Sequence, residues 1–172
     1  MQTATPTPAS PPIGRYLCVD LDSEHYAIPI LAVREIQAYA APTPLPRMPP
    51  HIRGVANLHG EIVPVVDLRL RIGMSAQPYG RLAVIVFLAA HGQVAGFIVD
   101  AASRVIDLER AQIKSPPDMA DGVDVSFLAG IARPNDRVIM VLDIDALLRG
   151  DPALAASSTE AQGSASAEPG GD

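Results

Sequence analysis

A chain of 172 residues with a formal charge of −6 has no clustered basic face for gripping phosphate backbones, which argues against a nucleic-acid-binding role. Its longest apolar run, Leu82 to Ala90, has nine residues where a spanning helix needs about 20, and the N-terminus lacks a signal-peptide pattern. A cytoplasmic protein with no direct membrane insertion is expected, and its one cysteine, Cys18, excludes an internal disulfide.

Residues 1–13 and 151–172 are dominated by Pro, Thr, Ala, Ser and Gly, too poor in large apolar groups to offset the entropy of ordering. Both are expected to be disordered tails around a folded domain over 14–150. Within it, Tyr16 to Leu21 and Tyr26 to Pro29 read as a hairpin across a polar turn at Asp22-Ser23-Glu24-His25. Ile30, Val33 and Ile36 recur at spacings of three, which predicts a short helix over Leu31 to Ile36. The segment Pro42 to Pro50 lacks five amide donors and reads as an extended connector.

Asn57-Leu58-His59-Gly60-Glu61 sits at a hairpin reversal, where Gly60 is suited to positive φ. Pro64 interrupts the strand Ile62 to Leu68, so that strand is either an edge or places Pro64 with its missing amide away from the ladder. Leu82 to Leu88 is continuously apolar, as in a strand buried on both faces. His91-Gly92-Gln93 marks a turn before Val94 to Val99, and Arg104 to Leu108 reads as a half-buried strand. Asp118 to Val125 reads as a surface loop, and Asp145 to Arg149 as a short helix that docks Leu147 and Leu148 before Gly150 stops it.

Two of these stretches repeat. Ile52-Arg53-Gly54-Val55-Ala56 followed by Val63 to Leu68 aligns without a gap on Leu128-Ala129-Gly130-Ile131-Ala132 followed by Ile139 to Ile144, 76 residues later. Gly54/Gly130, Ala56/Ala132, Val65/Val141 and Asp67/Asp143 are identical. One strand–turn–strand unit used twice predicts two related β subdomains and a mainly β fold.

Asp67, Asp100 and Asp143 each end an apolar strand, a place where carboxylates bind metal or move protons, but where they also cap turns and helices. The repeat favours the structural role for Asp67 and Asp143. His25, His51, His59 and His91 lack metal-ligand spacing, and no phosphate loop or nucleophile elbow occurs. No enzyme, metal or cofactor is expected. Three Phe, four Tyr and no Trp, scattered along the chain, are a poor basis for a proline-peptide groove.

Taken in order, Tyr26-Ala27-Ile28-Pro29, Val33-Arg34-Glu35-Ile36, Pro50-His51-Ile52-Arg53-Gly54, Asn57-Leu58-His59-Gly60, Ile62 to Arg69, Gly96 to Asp100 and Leu128-Ala129-Gly130 resemble the CheW-like chemotaxis coupling proteins over about 15–149. The resemblance implies two five-stranded SH3-like β-barrels and a non-enzymatic scaffold. Its implied partners are the cytoplasmic tip of methyl-accepting chemoreceptors and the regulatory domain of a CheA-type histidine kinase, with recruitment to membrane-associated receptor arrays. Carried over by position, receptor binding would fall on Val33, Glu35, Gly54, Asn57, Leu58, His59 and Gly60; Pro64, Asp67, Asp100, Val105 and Asp143 would be partner contacts or structural. The plain alternatives are a core valine, a conformational glycine and a turn-forming asparagine. Alternative functions are an adaptor of a non-flagellar pathway, a reused SH3-like binding module, or the kinase's own regulatory domain. His59 stands where the family usually has arginine, and Ala102 where it often has valine.

Overall fold

The computed structural model describes residues 14–116, 126–149, 151 and 154. The expected tails, apart from Asp151 and Leu154, the loop at Asp118 to Val125 and the helix stop at Gly150 lie outside the described residues.

The strands are β1 (Gly14–Leu21), β2 (Glu24–Pro29), β3 (Val33–Ala38), β4 (Ile52–Leu58), β5 (Glu61–Asp67), β6 (Val84–Ala90), β7 (Gln93–Val99), β8 (Ala101–Leu108), β9 (Ile113–Lys114), β10 (Leu128–Ala132) and β11 (Ile139–Leu142). Short helices α1 (Leu68–Arg71) and α2 (Ile144–Arg149) follow β5 and β11. One sheet runs β3-β6-β7-β5-β4 and the other β8-β1-β2-β11-β10-β9, the last strand being a two-residue stub. The fold is mainly β, in two SH3-like subdomains, as expected.

The duplication is wider than the sequence echo. Each sheet holds a tight hairpin outside its repeat unit (β6–β7 or β1–β2), whose second strand runs parallel to the last strand of that unit: Val65 lies opposite Gly96 and Val141 opposite Ala27. The strand after each hairpin crosses over: β3 leaves β2 to pair with β6, and β8 leaves β7 to pair with β1. Even the stub has a counterpart, because Thr43 bridges Val55 on β4 as β9 pairs with β10. The two halves are thus intertwined by exchange.

Alternation then builds three cores from strands buried on both faces. Leu58, Val63, Val65, Ile85, Phe87 and Ile98 fill the first barrel. Tyr16, Cys18, Ala27, Leu108, Ile139 and Val141 fill the second. The opposite faces of the same strands, including Leu17, Val19, Val66, Val86, Leu88 and Phe97, meet in a larger shared core with Leu147 and Leu148 of α2. Leu154 joins that core and Asp151 is buried, so packing continues past residue 150.

The paired glycines explain themselves at atomic distance. A Cβ on Gly54, at φ +145°, would lie 2.1 Å from the Thr43 carbonyl oxygen, and one on Gly130 would lie 2.7 Å from that of Lys114. Each repeat therefore needs glycine where a neighbouring backbone crosses its first strand.

One expectation is corrected and one alternative is decided. The helix over Leu31 to Ile36 is instead a 3-10 turn at Ile30–Ala32 followed by strand β3. Six residues with β-branched Val33 and Ile36 do not distinguish the two periods, and pairing with the buried strand β6 decides for strand. Strand β5 is interior, flanked by β4 and β7, so of the two alternatives for Pro64 the edge is excluded and the placement with its missing amide away from the ladder holds. Pro64 is tolerated because its partner Val55 spends both its amide and its carbonyl on Thr43, and the ladder to β7 starts only at Val65. The apolar run expected from Leu82 forms strand β6 only from Val84, Leu82 being exposed before it; β6 lies one place from the middle of its sheet, with β7 at the centre.

Candidate functional site

The turn joining β4 to β5 is a two-residue loop with His59 at φ 50° and Gly60 at φ 89°, the geometry that matches the twist of a tight hairpin. Asn57 fixes it: its Oδ1 accepts the Gly60 amide at 2.8 Å. Leu58 points inward and is 2% exposed. Only the His59 side chain, three-quarters exposed, projects from the turn.

Across the barrel, β3 brings Glu35 to the same place. His59 Nε2 lies 3.1 and 3.0 Å from the two Glu35 carboxylate oxygens, and Gln37 Nε2 donates to Glu35 at 2.8 Å. Both contacts hold the Glu35 carboxyl below the usual range, Gln37 the more strongly. Arg34 and Glu61 add a 3.8 Å exposed ion pair alongside. Because β3 and β4 are the two outer strands of their sheet, the Glu35–His59 contact marks where the sheet curls round to close the first barrel.

Glu35, Asn57, His59 and Gly60 are therefore brought together, and Val33 is not. A register shift at Val33/Glu35 sets them opposite Leu88 and Phe87, successive residues of β6 that face different cores. Val33 packs, partly buried, on the shared core; Glu35 lies at the barrel mouth with the turn. Gly54 sits under Thr43, and Leu58 belongs to the barrel interior.

The strand-end aspartates are occupied. Asp67 accepts the Leu70 amide at 3.3 Å as the cap of α1, and the Tyr79 hydroxyl donates to its other oxygen at 2.6 Å. Asp143 accepts the Ala146 amide at 3.1 Å in α2. Asp100 pairs with Arg69, whose Nη2 also donates to Asp22 at 2.7 Å. Val105 is half exposed on β8.

Arg69 is the residue that sequence reasoning missed. It is 5% exposed on α1 and joins the β1–β2 turn to the β7–β8 junction, tying the two subdomains. The signal was an arginine following the apolar run Val63 to Leu68, next to a helix cap. A second missed contact, His51 Nε2 to Asp151 at 2.7 Å, joins the end of the proline connector to the C-terminal segment.

Two duplicated barrels, strand-end acids committed to caps and a clamp, and a polar cluster at one barrel mouth define a scaffold class of protein, working through its surfaces. The comparisons are specific about which. The CheW-like domain matches residues 15–151, and the chain belongs to that family. It is 34% identical over 136 residues to the chemotaxis protein CheW of Klebsiella aerogenes, covering 79% of this chain and 82% of that one. The CheW of Rhizobium meliloti is 32% identical, with 77% and 86% covered. The crystal structure of scaffolding protein TtCheW from Thermoanaerobacter tengcongensis superposes with a TM-score of 0.73 at 32% identity, covering 80% of this chain and 89% of that one. The chain is a chemotaxis coupling adaptor.

Proposed function

We propose that this chain couples methyl-accepting chemoreceptors to the regulatory domain of a CheA-type histidine kinase without catalysing a reaction, and that the Glu35–His59 mouth of the first barrel is part of its receptor-binding surface. The observation that carries the reading is the convergence of β3 and the β4–β5 turn. Two segments 24 residues apart present one polar cluster, while Ile36 of β3, on the opposite face of its strand from Glu35, and Ile62 of β5 are also exposed. A rigid barrel with polar and apolar side chains exposed on adjoining faces suits an amphipathic helix laid across it. Coupling of this kind is a free energy between two binding events, transmitted through the shared core of two interlocked barrels. The adaptor acts in the cytoplasm at membrane-associated receptor arrays; among the described residues no helix is long and apolar enough to cross a membrane.

The test is co-sedimentation with receptor-bearing membranes. The full chain pellets with them, and Glu35→Lys, which keeps the melting temperature, loses at least about tenfold in affinity. Equal binding by the folded Glu35→Lys variant would remove the barrel mouth from the receptor surface.

A further inference from the structure

The second barrel has an opening of its own. A cavity of about 190 Å³ lies among strands β1, β2 and β8 and the segment before β11, with Cys18 at its floor and Arg104 and Arg137 in its wall. The backbone explains how the arginines get there. The β1–β8 ladder shifts between Cys18 and Val19, pairing Cys18 with Arg104 but Val19 with Ala102. Ser103 is thus left as an extra residue, and the bulge turns Arg104 over the barrel mouth on the face of Cys18. Arg137 arrives from the opposite side, after a 3-10 turn in which Asn135 and Asp136 take φ 54° and 63°, and is fixed by its amide donating to Pro134 at 3.1 Å.

Charge and size then select the ligand. No carboxylate lies within ion-pair distance of Arg104 or Arg137 among the described residues; other arginines such as Arg81 and Arg110 are likewise without an ion pair, but only Arg104 and Arg137 line this cavity. The one acid in the wall, Asp20, is already engaged by His25 Nδ1 at 2.8 Å. Burial raises the Cys18 pKa above its ordinary value, outweighing the opposite effect of the neighbouring Arg104 side chain, so the floor stays neutral near pH 7. Two guanidiniums able to bind forked oxygens across a space of roughly six water volumes, at about 30 Å³ each, suit a small oxyanion. The space is too small for a nucleotide.

We propose that the mouth of the second barrel is a binding site for a small oxyanion, phosphate- or carboxylate-sized, held between Arg104 and Arg137. This stands on the barrel geometry and is independent of the receptor reading.

The experiment is a titration of the full chain with inorganic phosphate, and separately with acetate, at constant ionic strength. Amide and arginine Nε–H shifts are followed by NMR, together with the rate of Cys18 modification by a thiol reagent. Saturable shifts confined to the cavity wall and slowed Cys18 modification, with a Kd of about millimolar, are expected. The Arg104→Ala/Arg137→Ala variant should bind at least tenfold more weakly, the Lys/Lys variant should recover part of the affinity, and Arg81→Ala/Arg110→Ala should be unaffected. Preference for phosphate identifies a phosphate-type ligand, and preference for acetate a carboxylate. Shifts that never saturate, or that survive in a folded Ala/Ala variant, overturn the site.

Discussion

Gly54 shows how a single residue decides between structure and contact. The repeat marks it, and the resemblance would place it in a receptor groove, but the Thr43 carbonyl oxygen stands where its side chain would begin. Gly54→Ala is therefore expected to cost more than about 2 kcal/mol in urea unfolding, from positive φ and a backbone collision together. A melt unchanged within error would return Gly54 to the surface. Tyr79 makes a second residue-scale prediction. Its hydroxyl donates to buried Asp67, and burial first, then that carboxylate, raise its pKa well above the usual tyrosine range. A raised folded pKa means that the stabilisation is present below the unfolded value near 10 and is lost as pH rises beyond it. Tyr79→Phe should lose about 1–2 kcal/mol at pH 7 and show a flatter decline in stability above pH 10 than the native chain.

At the scale of elements, strand β3 separates two kinds of residue that the sequence placed together. Val33→Asp should lower the melting temperature, because Val33 packs against the shared core, while Glu35→Lys leaves it within about 1 °C because the pair it breaks is solvent-facing. Equal thermal effects would show that the register shift at Val33/Glu35 is not present in solution. The hairpins, the continuously apolar β6, the proline connector and both repeat units were legible, since alternation, turn residues and identity at a fixed offset are local signals. The 3-10 turn and strand at Ile30 to Ala38 were not, because six residues carry too little periodicity. The interior position of β5 was also hidden: its proline is permitted by a bridge from Thr43, a contact between segments that no local pattern encodes. Of the candidate site, the turn was legible through Asn57 and Gly60, whereas the Glu35–His59 contact depends on barrel closure.

For the whole molecule, the duplication sets two clamps between the subdomains, with different chemistry in equivalent places. Arg69 on α1 meets Asp22 of the β1–β2 turn; 76 residues on, Asp145 on α2 meets His91 of the β6–β7 turn at 2.9 Å. The first buries its arginine while its aspartate is half exposed, and the second is exposed on both sides. Arg69→Ala, which leaves Asp100 with the Asp22 amide as its remaining partner, should destabilise by about 3 kcal/mol, the low end for a broken buried pair because both carboxylates keep partial exposure. Asp145→Ala should stay within about 1 kcal/mol. A loss as small for Arg69→Ala as for Asp145→Ala in urea melts would mean that the halves are held by the apolar core alone.

The central claim is that two interlocked barrels act as one coupling scaffold. Its most direct measurement is kinase recruitment: a CheA-type kinase, receptor-bearing membranes and the full chain are mixed pairwise and together, and kinase in the pellet is quantified with its autophosphorylation rate. The account predicts that kinase sediments and responds to receptor only when the chain is present, and that Glu35→Lys abolishes this while still binding kinase. Recruitment that is the same without the chain, or a folded chain that binds neither component, would contradict it.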